Sequence, residues 1–315
     1  MPEWLIEKGI GEVREALVED GEIVESRISV EGVISAGTII KAKLIDVGHN
    51  GRNAVAEAGG QEYLLREAPA GISEGATFDL EVTRSKIPGT EPWKRPLGRV
   101  ANPLHFENQG PGSTAATPAG DQLGMAGWND LIEEARSGVV RFAGGELRIS
   151  PTPAMTLIDV DGQLAPGELA VIGAREAARA IRRLDIGGSI GIDLPTAGSK
   201  TSRQDAAAAI DAVLPQPFER TAVNGFGFVQ IVRPRRRASL VELAQDRARF
   251  EARALLRQIS FEPAGPKRIV AHPSVVNVLE NRPDWLDALA RQVGGTVGLR
   301  ADPSLPMSGG YAEKH

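Results

Sequence analysis

The chain has 315 residues, 42% hydrophobic and 24% charged, with a formal net charge of −5 and no cysteine. That length leaves room for more than one domain, and the missing thiols exclude disulfides and thiolate metal sites and point to a cytoplasmic protein. The acidic balance excludes a general polyanion coat, so nucleic-acid binding would need local basic patches.

Acids occupy the N-terminal stretch MPEWLIEKGIGEVREALVEDG, where a signal peptide would need an apolar run, and no run approaches the roughly 20 apolar residues of a membrane span. Residues 13–28, VREALVEDGEIVESRI, alternate apolar and polar up to Asp20-Gly21 and beyond it, which predicts a hairpin. Between 37 and 84 the short runs TIIKAKLIDV, NAVAEA, EYLL and TFDLEVTR predict a small closed sheet, either an OB-type barrel or a sandwich. Residues 107–122, ENQGPGSTAATPAGDQ, have the composition of a mobile linker, and WNDLIEEARSG predicts a short helix.

From 146 the pattern changes. GELRI, MTLIDV and SIGIDL predict strands, with AREAARAIRRLD as an intervening helix. SRQDAAAAIDAVL follows as a second helix with Ser202 as its N-cap, and NGFGFVQIVRP as a further strand. This is the grammar of a mixed α/β layer. Ser239 and Glu242 have capping-box spacing at the head of SLVELAQDRARFEARALLRQI, which predicts one continuous helix. The tail predicts strand–helix–helix–strand.

Asp159 and Asp161 share a face if LIDVD is extended, and Asp193 ends the next apolar strand. Parallel neighbours would bring these carboxylates together at the strand ends, where open α/β sheets bind ligands. Clustered carboxylates repel unless a cation lies between them, and Mg²⁺ is the hard ion that suits a few carboxylates completed by water. The plainer reading makes Asp161-Gly162 a turn and Asp193 a cap. In RPRRRASL, Arg233, Arg235, Arg236 and Arg237 are either phosphate donors or a solvated charge run. His49, His105, His272 and His315 are scattered without metal spacing, and no nucleophile motif or P-loop is present.

Three motifs together resemble the ribonuclease E/G family. PTPAMTLIDVDG is similar to that family's T-x-I-D-[VI]-[ND]-[STG] strand, RRLDIGGSIGIDLP to its R-x-L-G-G-x-I-[VI]-I-D-[FL], and GFGFVQIVRPRRRASL to its F-G-L-x-E-[ML]-[ST]-R-x-R-x-R-x-S-L. The resemblance implies an α+β multidomain protein. RNase H-like elements at 1–36 would be followed by an inserted OB-fold RNA-binding module at 37–97. A linker and the second RNase H-like part would occupy 98–145, a mixed α/β DNase I-like catalytic domain 146–262, and a small α/β C-terminal domain 263–315. It also implies Mg²⁺-dependent hydrolysis of phosphodiester bonds in single-stranded RNA. Asp159 and Asp193 would hold the metal and Asp161 would assist. Arg233, Arg235, Arg237 and Arg84 would hold RNA, and Tyr63 would stack on a base.

The chain also departs from that family. Asp161 stands where asparagine is usual, Val55 replaces an aromatic, and Thr196 replaces a second acid. A 5′-monophosphate sensor of the R-T-A-G type has no counterpart, and the absent cysteines exclude a dimer joined through zinc thiolates, leaving other routes to an oligomer open. The competing expectations are a non-catalytic RNA-binding adaptor and, more distantly, a Mg²⁺ enzyme acting on a small phosphorylated metabolite.

Overall fold

The computed structural model describes residues 2–88, 94–102 and 120–314. The chain opens with an antiparallel meander of β1 (Glu3–Lys8), β2 (Glu12–Glu19) and β3 (Glu22–Val30). The expected hairpin forms at Asp20-Gly21. Both residues are left-handed, with φ of 51° and 86°, as the tight turn that matches strand twist requires. Strand β1 was not anticipated.

Next come β4 (Ile39–Asp46), β5 (Arg52–Ala58), β6 (Gln61–Glu67), β7 (Thr77–Arg84) and β8 (Leu97–Val100). They form a closed barrel in the order β4-β5-β6-β8-β7, with β7 returning antiparallel to β4 and β6 parallel to β8. Closure removes the sandwich alternative, and the barrel is compatible with an OB-like element. Alternate side chains fill its interior: Leu44, Ala54, Tyr63, Leu65, Phe78, Leu80 and Val82 among them. Gly98 lets β8 close over Leu80, since a Cβ there would lie 2.7 Å from Leu80 Cδ2.

The expected linker falls mostly outside the described residues. Asp121 caps the short α1 (Gln122–Met125), and α2 (Trp128–Ser137) follows. A six-stranded sheet is then built from β9 (Val139–Phe142), β10 (Gly145–Pro151), β11 (Thr156–Gly162), β12 (Gly188–Asp193), β13 (Glu219–Arg220) and β14 (Phe228–Arg233). Its order is β13-β14-β12-β11-β10-β9. Only β11 and β12 run parallel, because α3 (Pro166–Arg183) carries the chain back between them. Helix α3 packs on β10 and β11 and against α4 (Lys200–Val213).

Two expected helix starts move. Pro166 sets the first turn of α3 well before Ala174. In α4 the cap is Ser199, whose Oγ accepts from the Ser202 N–H at 2.9 Å, so Ser202 lies inside the helix rather than at its head.

The continuous helix expected from Ser239 is also broken, into α5 (Leu240–Leu243) and α6 (Arg247–Ser260). Leu240, Val241, Glu242, Leu243 and Ala244 are all buried. The break is a tightening of the backbone: the Gln245 and Asp246 N–H groups donate to carbonyls three residues back, Glu242 and Leu243, at 3.2 and 3.3 Å, and Asp246, at φ −82° and ψ 66°, starts the next helix. The tail gives β15 (Lys267–Ala271), α7 (Pro273–Glu280), α8 (Pro283–Val293) and β16 (Val297–Ala301) as expected, plus β17 (Tyr311–Lys314) on the other side of β15.

The described residues group into two compact units. One draws on 1–31, 115–137 and 240–315; the other draws on 32–114 and 138–239. In this grouping the barrel and the six-stranded sheet share a unit, and α6 belongs with the tail. In the first unit Leu256, Ile259, Ile269, Val275, Leu279, Trp285 and Leu289 form a core. Beside it Arg253 and Arg257 of α6 pair with Glu12 and Glu7 of the meander, at 2.7 and 3.0 Å. No helix among the described residues is long and apolar enough to cross a membrane.

An acidic face on the six-stranded sheet

Burial along β11 alternates strictly. Thr156, Ile158 and Val160 point into the core, and Leu157, Asp159 and Asp161 point out. In the parallel pairing of β11 with β12, the Cα partner of Asp159 is Asp193. Neighbouring strands lie about 4.8 Å apart, so the two carboxylates stand side by side, at the C-terminal end of β12 and midway along β11. The local alternatives fall away. Gly162 still pairs with Gly145, so Asp161-Gly162 is strand rather than turn, and the cap of the helix after Asp193 is Ser199.

The neighbours of the pair come from both flanking strands. On β14, Phe228 is opposite Asp193 and Gln230 is opposite Gly191. Gly191 has no side chain because the Phe228 ring and Leu157 occupy that space; a Cβ would lie 2.7 Å from Phe228 Cζ and 3.0 Å from Leu157 Cδ2. On β10, Arg148 is opposite Asp159 and Glu146 is opposite Asp161. Arg148 Nη2 donates to Glu146 Oε1 at 2.5 Å, and Arg148 Nε lies 3.9 Å from Asp161 Oδ2.

The Asp159 carboxyl is held above its ordinary range. Partial burial is the main cause, followed by the charges of Asp161 and Asp193. The Val160 N–H and the Arg148 guanidinium pull the other way. A cation between Asp159 and Asp193 would relieve this repulsion. Among the described residues no group of three or more His, Cys, Asp or Glu is arranged to enclose a metal. The donor set is thus a pair of carboxylates open to solvent. That suits an ion keeping several waters, such as Mg²⁺, and does not suit zinc.

The other expected residues lie elsewhere. Arg233 pairs with Gly188, at the opposite end of β12 from Asp193. Its Nη1 donates to the carbonyls of Ile181 and Ile186, at 3.4 and 3.1 Å. Arg237 Nη1 lies 3.4 Å from Asp185 Oδ2, and the Arg235 side chain rests on Gly187 and Gly188. The arginine run therefore clasps the turn between α3 and β12 and does not reach the acidic face. Arg84 Nη2 donates to the Arg95 carbonyl at 2.8 Å, on the barrel. Tyr63 is corrected from a stacking residue to a core residue: it is 1% exposed in the barrel interior, and burial pushes its phenol up. Its strand position points inward, so neither ring face is open to a base.

Arg148 and Glu146 escaped the sequence reading, because only the register of the β10–β11 hairpin shows what stands opposite an aspartate. Phe226 also escaped it. It is 84% exposed in the turn that leads into β14, two residues before Phe228, the partner of Asp193. The signal was present in NGFGFVQIV, where Phe226, Phe228 and Gln230 alternate with buried positions. No protein-family model matches the chain, and no curated protein matches it.

Proposed function

We propose that the acidic face is the active centre of a Mg²⁺-dependent endoribonuclease that hydrolyses phosphodiester bonds in single-stranded RNA. The ribonuclease E/G-like order of motifs supports this reading. So does a barrel of OB-like strand order in the same unit, which would serve as the RNA-binding module. A thiol-free chain fits work in the cytoplasm. The single observation that carries the proposal is the in-register pairing of Asp159 with Asp193 on adjacent parallel strands. A purely structural sheet gains nothing from two outward carboxylates placed side by side, since like charges directly opposite destabilise it.

Asp159 and Asp193 would hold Mg²⁺, which when bound would polarise a water and stabilise charge on the phosphoryl oxygens. Asp161, two positions along the same face, would accept a hydrogen bond from that water. Arg148 already offsets part of the acid charge and is 59% exposed, so its free N–H groups would meet an RNA phosphate. Arg233 and Arg237 would act indirectly, by holding the turn from which β12 starts.

The test is cleavage of a single-stranded, AU-rich RNA with Mg²⁺ by wild type, Asp159→Asn and Asp193→Asn. Wild type should cut, and each variant should lose at least about a hundredfold in rate, the scale on which loss of a charge-stabilising group at an active centre is felt. Cutting that survives both substitutions sinks the site assignment. RNA binding without cutting by wild type supports the adaptor reading, in which Arg148 rather than a metal balances the acids.

A further inference from the structure

We infer that Phe226 is the positioning residue that seats the base next to the bond to be cut, an inference that rests on the ribonuclease reading above. Three observations carry it. First, Phe226 is 84% exposed, and no other large hydrophobic residue among those described is more so.

Second, its backbone is fixed. Asn224 Oδ1 accepts from the N–H groups of Phe226 and Phe228, at 2.9 and 3.0 Å, and the Phe226 carbonyl accepts from Thr196 Oγ1 at 3.2 Å. Gly227 has φ of 96° and its carbonyl accepts from the Leu194 N–H at 3.3 Å, so the turn is tied to the residue after Asp193. A side chain on so constrained a turn loses little backbone freedom when it binds.

Third, apolar side chains flank the carboxylates on the strand that this turn opens, whose Phe228 pairs with Asp193. Phe228 lies over Gly191, and Leu157 beside it is 39% exposed. The occupant must therefore be flat and neutral where it meets Phe226, and joined to something a cation can bridge to Asp159 and Asp193. An acidic peptide lacks the first property and a neutral apolar chain the second. A nucleobase on its sugar–phosphate has both.

The test uses the full chain, Mg²⁺ and a short single-stranded RNA with one mapped cleavage site. Phe226→Ala should raise KM about tenfold, within the usual worth of one base–aromatic stack, and leave kcat within about twofold. Phe226→Trp should restore KM. In wild type, an abasic nucleotide on one side of the cleaved bond should raise KM by a similar factor; in Phe226→Ala the same abasic nucleotide should add little. A role in folding alone would lower the melting temperature and leave the abasic penalty intact, which overturns the inference. If wild type cuts and Phe226→Ala is indistinguishable from it, the inference fails and the ribonuclease reading stands. If wild type does not cut, both fail.

Discussion

Arg148 Nε lies 3.9 Å from Asp161 Oδ2, on the strand whose register sets Arg148 opposite Asp159. The guanidinium lowers the Asp159 carboxyl's pKa and Asp161 raises it. Asp159 must be ionised to hold a cation. Arg148→Gln should therefore move the acid limb of a cleavage–pH profile to higher pH, and Asp161→Asn should move it to lower pH. Rates measured from pH 4 to 8 check this. Shifts of the same sign in both variants would show that the two groups do not act through Asp159.

Asp159 should also cost stability when no metal is present. Its folded-state pKa is raised above the unfolded value of roughly 3.9, so ionisation is harder in the fold. The penalty is absent below the unfolded pKa and fully present above the folded one. Asp159→Asn in EDTA should therefore raise the melting temperature at pH 7 by about 1–3 °C, corresponding to a fraction of a kcal/mol once solvent screening is allowed for. At pH 3 the two proteins should melt together. Adding Mg²⁺ should stabilise wild type and leave the variant unchanged, which calorimetry reads directly.

Glu12 joins two buried arginines. It accepts from Arg14 Nε and from Arg253 Nε, each at 2.7 Å, and all three residues are nearly sealed from solvent. Removing the carboxylate leaves two guanidiniums without their shared counter-charge. Glu12→Ala should cost about 3–5 kcal/mol in a urea titration, whereas an exposed pair such as Lys41–Asp79 should cost less than about 1 kcal/mol. Equal costs at the two sites would contradict the network.

Gly11 has φ of 74°, and a Cβ there would strike the Trp285 ring. Gly11→Ala combines a left-handed backbone with a clash against a core side chain. It should lose about 2 kcal/mol or more by chemical denaturation and change the emission of Trp285. An unchanged midpoint would place the ring elsewhere.

Much of the fold was legible because period-2 alternation survives in the strands. TFDLEVTR and TLIDVDG each show which side chains face the core, and Asp20-Gly21 names its own turn. The adjacency of Asp159 and Asp193 was legible too, since two apolar strands joined by a helix predict parallel neighbours. What stayed hidden depends on the third dimension. Tyr63 has the composition of a binding residue and the strand phase of a core residue, and only barrel closure decides between them. The arginines at 233, 235 and 237 follow the acids in motif order but lie beside the opposite end of β12 from Asp193. The break between α5 and α6 is made by backbone turns at Gln245 and Asp246 that a capping box does not encode.

The parallel pairing of β11 with β12 has a consequence for when the acidic face is assembled. Strands joined by a hairpin can meet as soon as they are made. Asp159 and Asp193 meet only after the chain between them has paid the entropy of closing a long loop and α3 has docked. A ribosome-bound or partly unfolded chain would carry both carboxylates and no paired centre. On the proposed ribonuclease reading, cleavage would thus be withheld until the sheet is complete, with no separate inhibitor.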